Sequence, residues 1–349
     1  MTTNDRSRIR IRLASLAASL TLGAVALAAT TTTSATFVVQ PTLAGDLNIH
    51  DPTLLRLPGG YVLMGTGYEG INGGTLRFST SPDGVTWTDA GHLNDHQPAW
   101  VGKLLGQEPP NLWAPTLFQK GSTTYLYFAA STFGKNTSGI GLMTNAALDP
   151  KNPGKGWVDR GLVFASKRGD TFNAIDAFRI DTQDGKAWLA FGSWWDGIKM
   201  HALDPASGLL SKTDTKLYSL ASRGGGAIEA ASLVQHGGYV YLFVSYDRCC
   251  AGVNSTYRIM VGRSKNVTGP YTDRAGVAMM KGGATQVQAT GGRYIGPGGQ
   301  EVYQDAGADH LVYHYYAEDL GGTSQLQASP VVWGADGWPT LGTLPVSPK

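Results

Sequence analysis

Three acidic residues, Asp51, Asp176 and Glu229, stand in similar short motifs along a chain of 349 residues. Carboxylates that share one small space repel each other, so their pKa values split: one group keeps its proton while another is ionised. Hydrolysis of a glycosidic bond requires such a pair, because one carboxyl protonates the leaving oxygen while the other activates water or attacks the sugar. The motifs therefore predict a glycosidase site, provided that the fold brings the three residues together.

A repeat in the sequence predicts such a fold. Five segments of aromatic and aliphatic residues recur along the chain, and three of them follow the acidic motifs. The starts of the five segments lie 64, 63, 53 and 70 residues apart. The segments are Tyr61–Thr66, Tyr125–Ala130, Trp188–Ser193, Tyr241–Tyr246 and Leu311–Tyr316. Near-continuous apolar runs of this length are typical of strands covered on both faces. Each unit has room for four short strands, and four antiparallel strands repeated radially form a propeller blade.

We therefore predict an all-β, five-bladed β-propeller, with no helix-length amphipathic stretch in its body. A two-sheet sandwich with coincidental spacing is the alternative. In a propeller, equivalent positions of the blades lie around one ring. If the recurring segment is the innermost strand, the acidic motifs lie at the mouth of the axial channel. Aromatic residues that can pack against sugar rings, such as Trp113, Phe133 and Trp194, lie nearby, although each also suits a core position.

Motifs for other chemistries are missing or isolated. The sequence has no Gly-x-Ser-x-Gly elbow, no phosphate-binding loop and no His-Glu-x-x-His zinc motif. His50 and His314 fall near the predicted ring, but a lone histidine is more often structural. The stretch from Ser81 to Trp87 resembles a sialidase motif, yet it occurs once and without an arginine cluster.

The first residues predict export. Four arginines precede an apolar, small-residue stretch, so residues 1–29 are predicted to be a secretory signal peptide, with a membrane anchor as the alternative. Residues 30–44 are predicted to be a disordered leader and residues 45–349 a single domain, secreted and monomeric. Without residues 1–29 the formal net charge changes from +2 to −1. Such a chain has no obvious surface for nucleic acid or an anionic membrane.

The two cysteines, Cys249 and Cys250, are adjacent. An exported chain permits disulfides, but a bridge between neighbours cannot join distant segments, and the spacing does not suit a zinc site. We interpret the pair as a local loop feature without redox chemistry.

The quoted motifs also carry a family resemblance. They include His50-Asp51-Pro52, Leu112-Trp113-Ala114-Pro115, Asn173-Ala174-Ile175-Asp176, Phe191-Gly192-Ser193-Trp194, Ile228-Glu229-Ala230 and Val261-Gly262-Arg263-Ser264-Lys265. In this order, from about His50 to Tyr316, the chain resembles the arabinanases of glycoside hydrolase family 43. The resemblance implies a five-bladed propeller that cleaves α-1,5-L-arabinofuranosidic bonds of plant cell-wall arabinan and arabino-oligosaccharides, endo-acting and with inversion.

The resemblance also implies roles for single residues. Asp51 would be the general base, Glu229 the general acid, and Asp176 would orient Glu229 and hold up its pKa. Acid and base would stand about 6.5–9.5 Å apart, with room for a water molecule. The implied substrate-binding residues are Trp113, Phe133, Asn173, Ser193 and Trp194.

Two positions depart from the family pattern. Thr116 stands where the family usually has Asp, and Gly299 where many members have a His associated with an axial metal ion, often calcium. Gln300 follows, and its carbonyl oxygen could bind one Ca²⁺ directly or through water.

Three other functions stay open from the sequence. An exo-acting α-L-arabinofuranosidase or a β-xylosidase would use the same scaffold, and the conformations of the insert 95–110 and the loop 248–254 would decide between a groove and a pocket. A carbohydrate-binding propeller without catalysis is the third.

Overall fold

Each repeat folds into one antiparallel sheet in the computed structural model, which describes residues 39–343. Neighbours in the chain are neighbours in the sheet, so every blade is a four-stranded meander, and the first blade gains one parallel strand. The strands of the first blade are β1 (Ala44–Gly45), β2 (Thr53–Leu57), β3 (Gly60–Gly65), β4 (Arg77–Ser81) and β5 (Thr86–His92). Those of the second blade are β6 (Trp113–Lys120), β7 (Thr123–Ala130), β8 (Ser138–Asn145) and β9 (Trp157–Ser166).

The remaining three blades repeat this arrangement. The strands of the third blade are β10 (Phe178–Asp181), β11 (Ala187–Phe191), β12 (Ile198–Leu203) and β13 (Tyr218–Ala221). Those of the fourth blade are β14 (Ile228–His236), β15 (Tyr239–Tyr246), β16 (Arg258–Ser264) and β17 (Thr285–Gln288). Those of the fifth blade are β18 (Tyr294–Asp305), β19 (Ala308–Ala317), β20 (Thr323–Trp333) and β21 (Pro339–Leu341). The predicted five-bladed β-propeller is confirmed.

The innermost strand of each blade is its first strand, not the recurring apolar segment. The first strands β2, β6, β10, β14 and β18 contact one another in sequence around a closed ring. The recurring segments form the second strands, whose side chains pack against neighbouring blades on both faces and are therefore the more apolar. The acidic motifs lie just before or at the start of the innermost strands, so the predicted link to the axis holds although the strand assignment was wrong.

Hydrophobic clusters join the blades in pairs. One cluster of buried side chains lies at each of the five boundaries between neighbouring blades. At the boundary between the fifth and first blades, for example, Leu54, Leu63 and Trp87 pack with Val312 and Leu326. The core is thus a ring of interfaces in which each blade is covered on two faces.

The segment before the first blade closes this ring. Val39 pairs with Thr343, and the side chain of Gln40, 2% exposed, donates a hydrogen bond of 2.7 Å to Gly342 O. Further on, Leu47 O accepts from Leu326 N at 2.7 Å. The prediction of a disordered leader over 30–44 is therefore wrong for residues 39–44, because these contacts fix them to the fifth blade and to β5. The predicted signal peptide, residues 1–29, lies outside the described residues.

Among the residues that the structure describes, helical structure is confined to short connections. The α-helix α1 (Ala99–Leu105) was not predicted; it forms within the insert 95–110, buries Val101 between the first two blades and ends at Gly106 in a left-handed conformation. Short 3-10 helices cover Asn72–Gly74, Gly252–Asn254, Met279–Lys281 and Glu318–Leu320. Within residues 39–343 no helix has the length and apolar character needed to cross a membrane.

The sialidase-like motif is a turn between β4 and β5. Asp83 Oδ1 accepts hydrogen bonds of 2.8 Å from the backbone N–H groups of Val85 and Thr86, and Ser81 Oγ accepts one of 2.9 Å from Gly84 N. These contacts shape the turn between the two strands, so the motif has a structural role here.

Candidate active site

One residue in the left-handed conformation lies in or just before each innermost strand. These residues occupy the same position in all five blades, with φ between 43° and 58°: Asp51, Ala114, Asp176, Ala230 and Gly299. The strand register shifts just after this position in the second, fourth and fifth blades, as in a β-bulge. Bulges and left-handed residues re-aim side chains and are frequent at functional sites. Asp51 and Asp176 occupy this position. Glu229 was predicted to be equivalent to them, but it lies one residue before the position, which Ala230 occupies.

Asp51 is held as an anion by neighbours from two blades. Its Oδ2 accepts a hydrogen bond of 2.8 Å from His50 Nδ1 and one of 2.7 Å from Thr66 Oγ1, and its backbone N–H donates to His314 Nδ1 at 3.2 Å. Burial by itself would raise the pKa of Asp51, but the charge and hydrogen bond of His50, together with His314 and Thr66, hold it well below its usual range. Asp51 is therefore ionised at neutral pH and able to accept a proton from water.

Glu229 has the opposite character. It is 8% exposed, and its two oxygens accept hydrogen bonds from Ser193 Oγ, at 2.5 Å, and from the hydroxyl of Tyr257. Burial raises its pKa to about 7; the hydrogen bond from Ser193 opposes the increase, and the negative charge of Asp51 adds to it. A carboxyl with this pKa keeps its proton through the acidic range and can donate it.

Asp176 is coupled to Glu229. Its Oδ2 accepts a hydrogen bond of 3.0 Å from Ala230 N, the residue after Glu229, so it fixes the backbone that carries the second carboxyl. Burial and the charges of Glu229 and Asp51 raise the pKa of Asp176 well above its usual value. Ionisation of either member of the pair disfavours ionisation of the other. This agrees with a residue that orients Glu229 and affects its titration.

A hydrogen-bonded chain supports Asp51 from behind. His50 Nε2 lies 2.8 Å from the hydroxyl of Tyr316, and that hydroxyl accepts a hydrogen bond of 2.7 Å from Cys250 N. Cys249 and Cys250 are bridged to each other in the loop after β15. The ring of His314 stacks beside that of His50, with centroids 3.7 Å apart. The cysteine loop thus contributes a backbone donor to the surroundings of the site.

The donor groups around the axis do not fit calcium. A cavity of about 30 Å³, the size of one water molecule, lies on the axis among Asp51, Asp176 and residues 299–301. Gln300, the predicted ligand, uses both ends of its amide: Oε1 accepts from Ser245 Oγ at 2.7 Å, and Nε2 donates to Ala230 O at 2.5 Å.

The one cluster of metal-ligating side chains in residues 39–343 is a different set, His50, Asp51 and His314. Two nitrogens and one carboxylate do not provide the six to eight oxygen ligands of Ca²⁺. The histidine nitrogens already take part in the hydrogen bonds described above. We therefore derive no step through an ion.

The predicted substrate-binding residues differ in their exposure. Phe133 is 77% exposed and Trp194 39% exposed, so both offer an open aromatic surface. Trp113 is half-buried and donates from Nε1 to Asn111 Oδ1 at 2.9 Å. Ser193 and Asn173 are buried. Ser193 donates a hydrogen bond to Glu229, and Asn173 Oδ1 accepts one of 2.6 Å from Ser138. The contacts of Asn173 indicate a supporting role rather than a direct sugar contact.

Several residues of the site were not predicted. Tyr257 binds Glu229 and Tyr316, the last residue of a recurring segment, supports His50. Thr66 links two blades, since it donates to Asp51 and accepts from Ala114 N at 3.0 Å. Glu301, buried on the axis, had no signal in the sequence because the other blades carry no acid at the equivalent position.

Comparison with known proteins leads to one family. Residues 39–339 match the family model described as "Glycosyl hydrolases family 43". The extracellular endo-α-(1→5)-L-arabinanase 1 of Bacillus subtilis (strain 168) is 38% identical over 294 residues, which cover 84% of this chain and 87% of that protein. The extracellular exo-α-(1→5)-L-arabinofuranosidase ArbA of Cellvibrio japonicus (strain Ueda107) is 35% identical over 309 residues, or 85% of this chain and 87% of that protein.

A solved structure is similar to this chain in both fold and sequence. The family 43 endo-arabinanase from Bacillus licheniformis superposes with a TM-score of 0.79 at 39% identity, and the match covers 86% of this chain and 99% of that chain. The family model, the sequence relatives and the fold lead to one conclusion: the chain belongs to glycosyl hydrolases family 43.

Proposed function

We propose that this glycoside hydrolase cleaves α-1,5-L-arabinofuranosidic bonds inside arabinan chains, with inversion at the anomeric carbon. The observation that carries the proposal is the opposite protonation of two carboxyls on one axis: Asp51 is ionised and Glu229 keeps its proton up to about pH 7. An ionised base and a protonated acid are what single-displacement hydrolysis requires. The arabinan specificity rests on the relatives, two of which are named as arabinan-cleaving endo-enzymes.

The roles follow from the contacts. Asp51 takes a proton from the attacking water, and His50 and Thr66 keep its carboxylate in place. Glu229 gives its proton to the leaving oxygen, while Ser193 fixes the orientation of the acid. In addition, Phe133 and Trp194 offer exposed aromatic faces on which sugar rings can pack. The relatives named as extracellular and the predicted signal peptide support export of this chain.

The products formed from linear debranched arabinan test the proposal. An endo-enzyme produces a spread of arabino-oligosaccharides, with an early fall in viscosity, and proton NMR shows that the new reducing end first has the inverted configuration. Glu229→Gln is the matched control: it keeps the shape of the side chain and loses the acid, so we expect turnover to fall by about 10²–10⁴-fold while oligosaccharide still binds. Normal turnover by this variant would contradict the role of Glu229.

A second function has a specific observation in its favour, because the Cellvibrio japonicus relative is named as an exo-enzyme. Arabinose alone from the first minutes would indicate exo action. Products from xylan but not from arabinan would indicate a xylosidase, and binding without any product a carbohydrate-binding propeller.

A further inference from the structure

One buried carboxyl on the axis takes no part in the proposed reaction. Glu301 lies on β18, two residues after the left-handed Gly299, and is 6% exposed. The equivalent positions of the other blades form a second ring beneath the catalytic one: Thr53, Thr116, Phe178 and Ser232. Glu301 is the only ionisable member of this ring, and Thr116 is the position where the family usually has Asp.

The hydrogen bonds of Glu301 require a proton on its carboxyl. The hydroxyl of Thr116 lies 2.6 Å from Ala177 O and 2.8 Å from Glu301 Oε2. A hydroxyl has one proton to donate, and a carbonyl oxygen can only accept, so Thr116 donates to Ala177. The contact between Thr116 and Glu301 is then a hydrogen bond only if Glu301 Oε2 is the donor.

The other oxygen of the same carboxyl completes an ordered chain. Leu117 N donates to Thr53 Oγ1 at 2.9 Å, so the Thr53 hydroxyl is free to donate to Glu301 Oε1, at 2.6 Å. One oxygen of Glu301 thus accepts and the other donates, and every group in the chain is satisfied. Burial also raises the pKa of Glu301 to about 8, although the hydrogen bond from Thr53 opposes the increase.

This chain of hydrogen bonds joins the segments that carry the catalytic carboxylates. Thr53 is two residues after Asp51, and Ala177 directly follows Asp176. The adjacent Gln300 holds the third segment, because its amide binds Ala230 O, next to Glu229, and Ser245. The fifth blade provides none of the catalytic carboxyls, yet two consecutive side chains on its inner strand contact all three segments.

We propose that Glu301 is a positioning residue that acts as a neutral carboxylic acid. It fixes the separation between the segments of Asp51 and Asp176 without adding another negative charge to the axis. The titratable groups on the surrounding elements are Asp51, Asp176, Glu229 and His314, and an ionised Glu301 would place a second negative charge near ionised Asp51. The inference rests on the proposed function, since the positioning is of its catalytic groups.

The variants Glu301→Gln and Glu301→Ala separate a neutral acid from an anion. A glutamine also has one accepting oxygen and one donating group, so Glu301→Gln preserves the chain, and we expect kcat on arabino-oligosaccharide within about threefold of wild type. Glu301→Ala breaks the chain, and misplaced catalytic groups commonly cost about 10²-fold. We therefore expect kcat to fall at least about tenfold with little change in KM, and the pH–rate profile to shift. If Glu301→Gln is as impaired as Glu301→Ala, the carboxyl acts as an anion and the proposal fails.

Thr116 provides a second, matched pair. Thr116→Ser keeps the hydroxyl and Thr116→Val removes it at nearly constant volume. We expect the serine variant to behave like wild type and the valine variant like Glu301→Ala, including the shifted pH–rate profile. Equal activity and equal pH profiles in the two Thr116 variants would contradict the proposal, even where Glu301→Ala fails to fold.

A measurement without substrate separates this inference from the proposed function. The infrared difference spectrum of wild type minus Glu301→Gln, recorded at pH 6, isolates the absorption of this carboxyl. We expect the carbonyl band of a protonated acid; the bands of an ionised carboxylate in its place would overturn the proposal. A wild-type protein that cleaves no arabinan would refute the proposed function and leave this spectrum interpretable.

Discussion

At the scale of single residues, the site separates two buried carboxyls by their hydrogen-bond partners. Asp51 receives donors from His50 and Thr66, which favour its anion. Glu229 receives donors too, from Ser193 and Tyr257, but burial, with the charge of Asp51, raises its pKa despite the hydrogen bond from Ser193. Burial and the charge of Asp51 thus keep the proton on Glu229, while the histidines and Thr66 around Asp51 keep that carboxylate ionised.

Removal of the Ser193 hydroxyl should move the alkaline limb of activity. The general acid works only while protonated, so activity falls as the pH rises through the pKa of Glu229, about 7. The hydrogen bond from Ser193 lowers this pKa, so Ser193→Ala should raise it. We expect the alkaline limb of kcat to shift to higher pH by the same amount, measured on a soluble arabino-oligosaccharide. The buried but distant Ser264→Ala is the control; an alkaline limb at the same pH in both variants would exclude this role of Ser193.

At the scale of elements, the left-handed residue in or just before each inner strand determines where the side chains point. Gly299 occupies this position in the fifth blade, and a Cβ there would lie 2.6 Å from the His314 ring and 2.7 Å from Asp51 Oδ1. The space that a side chain at 299 would need is thus already filled by a histidine from the next strand and by the catalytic base.

Gly299→Ala should therefore reduce both stability and turnover. A matched control is Gly292→Ala: Gly292 has a similar φ, 56° against 58°, but a Cβ there would meet nothing within 4 Å. Both variants carry the cost of a left-handed alanine, about 1–2 kcal/mol, and only Gly299→Ala adds steric overlap, about 1–3 kcal/mol. We expect a lower melting temperature and at least about tenfold lower kcat for Gly299→Ala relative to Gly292→Ala. Equal behaviour of the two variants would show that the space beside Asp51 is not constrained.

The arrangement of the elements also shows which parts of the fold and the site the sequence could predict. The repeat and the acidic motifs sufficed to predict five blades and three carboxyls on one axis, because both depend on local pattern and on radial symmetry. The contacts of Thr66, Tyr257 and Glu301 depend on side chains far apart in the chain, and no local pattern encodes them. For the same reason Gln300 was a plausible calcium ligand in the sequence, while in the structure its amide is occupied by Ser245 and Ala230.

At the scale of the whole molecule, stability depends on closing a ring of five interfaces. Four boundaries join blades that are consecutive in the chain, and the fifth joins β20 and β19 to the first blade with the help of residues 39–48. Gln40 is central there: besides its bond to Gly342 O, its Oε1 accepts a hydrogen bond from the Tyr313 hydroxyl.

Gln40→Ala should weaken this closure without touching the site. Two buried hydrogen bonds are lost and their partners are left unsatisfied, which costs about 1–3 kcal/mol for each group. We expect a melting temperature lower by several degrees, with KM unchanged because Gln40 lies outside the site. A double-mutant cycle with Tyr313→Phe measures how much of the loss belongs to this pair. A melting temperature equal to wild type would show that the segment contributes little to closure.

Because Val39 pairs with Thr343, the first and last segments of the propeller meet, and a chain that starts in another blade could form the same ring. The two segments run parallel, so a linker of about a dozen residues, which returns along the blade, is needed to join them. The Gly224–Gly225 turn, before the fourth blade, has space around both glycines and could carry the new ends. A circular permutant of this kind would begin with the strand of Glu229 and place the boundary between the fifth and first blades inside a continuous polypeptide.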